Sequence, residues 1–182
     1  MWLVNHLRPL AVLAVIALPL GLGSCGFEPM YAAPDSATQK SIQASYADIE
    51  IANIPDREGQ YLRNALIDRL YVSGRPADAR YVLEVEPLKR SLTSQAIQKD
   101  STYTRSLMTY STTIRLRDRK TDYAVVLERK QRALGSYNLL DSQFTTISSR
   151  DSLNDHLLDE LADSIETSLA LHFKVAAQDG AR

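Results

Sequence analysis

The chain has 182 residues, with 21 Lys and Arg against 22 Asp and Glu, a formal net charge of -1, 45% hydrophobic residues, one cysteine and three histidines. It is long enough to bury one core, too apolar for general disorder, and too close to neutral to grip nucleic acid through its overall field. A lone cysteine excludes a disulfide framework, and with only three histidines beside it a zinc ribbon is excluded as well.

The first 24 residues differ from everything after them. Residues 9–27 carry no charge, and Arg8 with the terminal amine supplies a short basic start. The apolar run of 13 at residues 10–22 suits a signal-peptide core and is short for a membrane span. Pro19, Gly21 and Gly23 interrupt it and no basic stop-transfer cluster follows, which argues against a transmembrane anchor. Leu22, Gly23 and Ser24 then precede Cys25 in the form of a lipobox: an aliphatic residue, two small residues that let a signal peptidase approach the backbone, and the cysteine that is acylated. The expectation is a signal peptide at 1–24, cleavage after Ser24 and covalent lipid on Cys25. Two or three acyl chains, at about 0.8 kcal/mol per buried methylene, hold a protein stably on a membrane. Gly26 is not the Asp associated with inner-membrane retention, so an outer-membrane, periplasm-facing position is expected.

Residues 25–45 read as a lipidated N-terminus and tether, because 32–44 are small, polar and without period. Residues 46–53 alternate Ile49 and Ile51 with Asp48 and Glu50, the pattern of a strand with one buried face. A helix follows from Pro55, with Asp56 placed to cap it, Leu62, Leu66 and Leu70 as its apolar stripe, and Gly74 and Pro76 as its stop. Tyr81, Leu83 and Val85 begin an extended segment reaching to about residue 98, in which Pro87 predicts a bulge or an edge position. A hairpin turn at 98–102 leads to a strand at 103–117, and a turn at 118–122 leads to another at 123–133. The last element is a long helix ending near Phe173, with Leu153, Leu157, Leu161, Ile165, Leu169 and Phe173 at a spacing of four; its start falls near Ser142 or at the Ser148 to Asp151 capping box. Residues 176–182 form a short frayed tail. The order β-α-β-β-β-α predicts one α+β domain at 46–175: a two-layer α/β sandwich with two helices on one face of a four-stranded mixed sheet.

Charge is unevenly spread. Residues 75–132 hold 13 basic and 7 acidic side chains, while 25–74 hold 4 and 7 and 133–182 hold 3 and 8. The strands are therefore basic and the helical flanks acidic, a polarity that attracts anions to one side. Taken singly, each Lys or Arg on a strand is explained by protection against mispairing.

Catalytic chemistry is not evident. His156 and His172 are sixteen residues apart on the last helix, without Cys or a second His at ligand spacing, so no metal is expected. Asp151, Ser152 and His156 could be drawn as a triad, but acidic residues are simply abundant there. Gly59, Gly74 and Gly135 are isolated and form no phosphate loop, and Glu84 and Glu86 share a strand face without a catalytic requirement. The expectation is a non-enzyme with no cofactor beyond the lipid on Cys25. Nine tyrosines against three Phe suit a wet protein interface, although Tyr61, Tyr81 and Tyr110 equally suit a core.

Several segments in this order resemble the lipopolysaccharide-assembly lipoprotein family LptE, in particular its alphaproteobacterial members. They are Cys25-Gly26-Phe27-Glu28-Pro29-Met30-Tyr31, then Ile54-Pro55-Asp56-Arg57-Glu58-Gly59-Gln60-Tyr61-Leu62-Arg63-Asn64, then Ala96-Ile97 with Asp100 and Thr104-Arg105, and Ser136-Tyr137-Asn138. The resemblance implies the same two-layer sandwich, an outer-membrane lipoprotein that plugs and helps assemble the LptD-type translocon β-barrel, and binding of lipopolysaccharide on its way to the surface. It also implies basic residues near strand ends as glycolipid contacts, which points to Lys99 and Arg105 at the hairpin tip and, next, to Lys89 and Arg90. Rival readings are another outer-membrane lipoprotein module, such as a secretin pilot or an auxiliary lipoprotein of a lipid transporter, and a lipid-tethered hydrolase, which lacks a nucleophile and base.

Overall fold

Alternation along a single strand organises the structure, a computed structural model that describes residues 37–72, 74–96, 104–139 and 143–179. The chain divides into two units, 1–39 and 40–182, and only residues 37–39 of the first are described. The elements in chain order are α1 (Ala37–Tyr46), β1 (Ile49–Ile51), α2 (Arg57–Leu70), β2 (Tyr81–Val85), β3 (Lys89–Ala96), β4 (Thr104–Asp118), a 3₁₀ turn (Arg119–Thr121), β5 (Ala124–Leu139) and α3 (Gln143–Asp179).

The sheet is open and mixed. β1 pairs in parallel with β2, as a strand-helix-strand unit requires, and β2, β3 and β5 all pair antiparallel with β4. β2 and β3 lie end to end along one side of β4: Val85 faces Ile114 and Lys89 faces Ser111. Three residues, Glu86 to Leu88, thus oppose two, Thr112 and Thr113, which makes a one-residue bulge at Pro87. The Glu86 amide donates to the Thr113 carbonyl (2.9 Å) and the Thr112 hydroxyl to the Glu86 carbonyl (2.7 Å), so the interruption leaves these polar groups satisfied. The sheet consequently has five strands where four are expected, because Pro87 divides the second long strand in two.

Even-numbered residues of β4 face the helices. Met108, Tyr110, Ile114 and Leu116 are buried, with Leu83 and Val85 of β2, Ile49 and Ile51 of β1, and Leu127 and Ala133 of β5. The matching stripe of α3 is Leu157, Leu161, Ile165, Leu169 and Phe173, and that of α2 is Leu62, Leu66 and Leu70. α3 crosses β5 closely at Gly135, where an added Cβ would lie 2.6 Å from Leu153 Cδ1. Further along, buried Gln131 bridges two turns of α3, accepting from the Ser164 hydroxyl (2.7 Å) and donating to that of Ser168 (2.8 Å). Tyr81 meets Phe173 edge to face at 5.4 Å.

Several boundaries differ from expectation. Part of the segment read as a tether is helical: α1 carries buried Ile42 and Tyr46 four residues apart, and Tyr46 donates to the Glu166 carbonyl of α3 (3.3 Å). Two anchors amid Ser, Gln and Ala are too sparse to show a period, and only packing reveals them. Tyr46 therefore ends a helix, and β1 shortens to three residues. Asp56 precedes α2 but makes no side-chain cap; its φ of 69° and ψ of 167° put the carboxylate out of register with the free amides. α2 is instead fixed by Gly59, where an added Cβ would sit 2.7 Å from Ile54 Cγ2. β5 runs six residues past the expected end and α3 to Asp179; the hairpin turn at 98–102 lies outside the described residues.

Leu161 is fully buried beneath α3. Its replacement by Ala is expected to cost about 2–5 kcal/mol, as large-to-small core changes do, with a matching fall in the urea midpoint of purified protein.

Candidate functional site

The odd-numbered residues of β4 form the sheet face that the helices leave open. Its lower half is electrically closed. Arg117 pairs with Glu84 at 2.8 Å, Arg115 with Glu86 at 2.7 Å and Glu128 at 3.5 Å, and Arg119 with Glu50. Hydrogen bonding from Thr113 and then Arg115 holds the Glu86 carboxyl below its ordinary range.

Above these pairs the acids stop. Lys89 and Arg132 flank Ser111 in one row of the sheet, and Lys130 lies beside Thr113 in the next. Neighbouring strands are about 4.8 Å apart, so the backbones of Lys89 and Arg132 stand about 10 Å from one another, with Lys130 about 7 Å along the strand from Arg132. All three side chains are exposed, and none forms an ion pair among the described residues. Three cations over a floor of hydroxyls suit an anion with several oxygens, since charge-assisted hydrogen bonds from Lys and Arg are the strong ones.

The expected site residues do not assemble into one place. Lys99 lies outside the described residues, as do Leu22, Gly23, Ser24 and Cys25. Arg105 is exposed near the hairpin end, where its Nε donates to the Ser136 hydroxyl at 2.7 Å. Six residues separate its register position from that of Lys89, about 20 Å of strand. Arg90 follows Lys89 but points to the opposite face, toward the helices, because side chains alternate along a strand. There it sits 3.7 Å from Glu58 in a cleft of about 640 Å³ between α2 and α3, lined also by Arg57, Tyr61, Asn154 and Asp155. Tyr110, on the same face of the sheet, donates to Asn154 Oδ1 at 2.6 Å, and burial pushes its phenol up. Lys130 and Arg132 are the residues that sequence reading misses; their signal was the basic run Arg129-Lys130-Gln131-Arg132, whose alternation with buried Gln131 becomes visible only in register.

The imagined triad does not close into a site. Asp151 pairs with its neighbour Arg150 at 3.1 Å, and Ser152 and His156 are exposed on α3. What the geometry defines is a two-layer α+β sandwich with one face packed under helices and one polarised, open face.

The LptE family model, described as lipopolysaccharide-assembly, matches residues 46–169. The chain belongs to this family, and its role therefore lies in lipopolysaccharide assembly in the bacterial envelope. No curated protein matches the sequence. Among solved structures, a Caulobacter crescentus protein described as a lipoprotein is 21% identical with a TM-score of 0.54, over 74% of this chain and 96% of its own. A minor lipoprotein from Acinetobacter baumannii gives 21% and 0.54, over 69% and 92% of the two chains. Rare lipoprotein B from Shewanella oneidensis gives 12% and 0.51, over 68% and 92%. At these identities the likeness is one of fold, and it is the open two-layer sandwich expected from the sequence.

One carboxylate at the foot of β4 titrates in a defined way. Buried Asp118 accepts from Arg80 at 2.6 Å and from the Lys120 amide at 2.8 Å, and the Arg80 contact above all holds its carboxyl below the ordinary range. A carboxyl depressed in the folded state stabilises fully above its unfolded value of about 3.9 and loses that contribution as pH falls through the folded value. Urea unfolding from pH 7 to pH 2 is expected to show stability dropping below about pH 4, and Asp118→Asn is expected to lower stability at pH 7 while shrinking that acid limb.

Proposed function

We propose that this chain is an outer-membrane lipoprotein, acylated on Cys25, that sits in the LptD-type translocon barrel, helps it assemble, and binds lipopolysaccharide in transit. On this reading the phosphates of the glycolipid engage the open sheet face through Lys89, Lys130 and Arg132. The observation that carries it is the contrast within one face: Arg115, Arg117 and Arg119 are held in ion pairs with acids, while Lys89, Lys130 and Arg132 form no ion pair among the described residues. Family membership over 46–169 supplies the process in which such a face is used. The lipobox supports the anchor. Lys99 and Arg105 remain tip contacts on this reading, reaching either the glycolipid or the barrel wall.

Purified protein carrying Lys89→Gln, Lys130→Gln and Arg132→Gln together is expected to bind lipopolysaccharide at least about tenfold more weakly, with an unchanged melting temperature, since charge-assisted contacts contribute about 1.5–3 kcal/mol each when formed. Loss of binding in Lys99→Ala/Arg105→Ala alone, with the triple variant unaffected, would move the glycolipid to the tip. Cys25→Ser is expected to release the protein from outer membranes. Co-purification of the native lipidated protein with the translocon barrel supports the plug, whereas co-purification with a secretin or a lipid transporter would replace it.

A further inference from the structure

Two of the sheet's three edge strands, β1 and β5, are treated differently. β1 is covered by side chains: the Tyr71 hydroxyl donates to the Ile49 carbonyl and accepts from the Ile51 amide, both at 3.1 Å, and Arg63 donates to the carbonyls of Ile51 and Ala52 at 3.3 Å. β5 has sixteen residues, contains no proline, and pairs on one side only, with β4. Among the described residues no strand and no side-chain hydrogen bond occupies its other edge.

Which groups face outward follows from the ladder. The Thr113 carbonyl accepts from Glu86, so odd-numbered residues of β4 direct their backbone groups toward β2 and β3, and even-numbered ones toward β5. Thr112 and Tyr110 face Gln131 and Ala133, which therefore bond inward; Lys130, Arg132 and Leu134 direct their amides and carbonyls outward. The residues with free backbone groups are thus the same ones whose side chains stand exposed on the open face, two of them cationic.

We propose that the outer edge of β5 accepts an extended strand from another polypeptide, one with acidic side chains at alternate positions facing Lys130 and Arg132. Backbone hydrogen bonds supply the affinity and the acid-base pairs set the register, the pattern of strand addition at a sheet edge. A second copy of this chain is a poor occupant: an antiparallel pairing of the 130–132 segments sets Lys130 opposite Arg132 twice, and like charges directly opposite repel. Charge on an edge strand also protects it from indiscriminate pairing, and here it selects an acidic partner over a neutral or basic one.

The probe is a synthetic ten-residue peptide alternating Glu with Val and Thr, beside a second in which Lys replaces Glu, titrated into the full-length protein. The Glu peptide is expected to bind and to slow hydrogen exchange at the amides of Lys130, Arg132 and Leu134, and the Lys peptide is not. Leu134→Pro removes one outward amide and no charge at a position where an edge strand tolerates proline, so it should keep the fold and weaken the Glu peptide about five- to tenfold. Ala133→Pro, whose amide bonds to β4, is expected to destabilise the protein and serves as the contrast. If Leu134→Pro itself fails to fold, exchange protection in the unmodified protein decides. Absence of that protection, equal binding of the two peptides, unchanged binding by folded Leu134→Pro, or dimerisation through β5 in sedimentation would overturn the proposal. Leu134→Pro leaves Lys89, Lys130 and Arg132 in place, so its lipopolysaccharide binding should be unchanged, and failure of the edge is thereby separable from failure of the glycolipid reading.

Discussion

Everything in this domain hangs on β4. Its fifteen residues hold β2 and β3 along one side and β5 along the other, so a single alternation decides which side chains meet the helices and which meet solvent. On one face that alternation gives Met108, Tyr110, Ile114 and Leu116 to the core; on the other it gives Ser111, Thr113, Arg115 and Arg117 to an open surface. A slip of one residue would bury the arginines and expose the core, and the burial cost of the charges makes the register nearly compulsory.

The helical layer locks that register from above through a few specific contacts. Gly135 lets α3 approach β5, and Gln131 fixes the sliding coordinate by engaging Ser164 and Ser168 on successive turns. A buried amide with both ends satisfied specifies one alignment, whereas a stripe of leucines alone tolerates several. At the other end of the sandwich, Asp118 joins Arg80 to the turn that starts β5, so the two long strands are set from both ends.

Much of the fold could be read in the sequence because its signals are local and repeated. The four-residue spacing from Leu157 to Phe173, the Leu62, Leu66 and Leu70 stripe, and the alternation of 103–117 each name an element and its buried side. Weaker signals were lost where one or two residues do the anchoring. Ile42 and Tyr46 hold α1 without making a period, Asp56 has the chemistry of a cap but not the backbone angles, and Pro87 marked an interruption without saying that it makes two strands. The site was less legible. Lys89 and Arg90 are adjacent in sequence and on opposite faces in space, while Lys89, Lys130 and Arg132 are distant in sequence and share one face.

The class of fold, the apolar stripes, the lipobox pattern ending at Cys25 and the concentration of positive charge in residues 75–132 are legible in the chain alone, because each depends on composition or short spacing. Which of those charges are held in ion pairs with acids is settled by folding. An ion pair such as Arg117 with Glu84 joins residues 33 apart, and whether it forms depends on strand order and register. The same holds for the edges: a strand's outward amides carry no mark in the sequence, and they are covered or left open according to what the fold brings beside them.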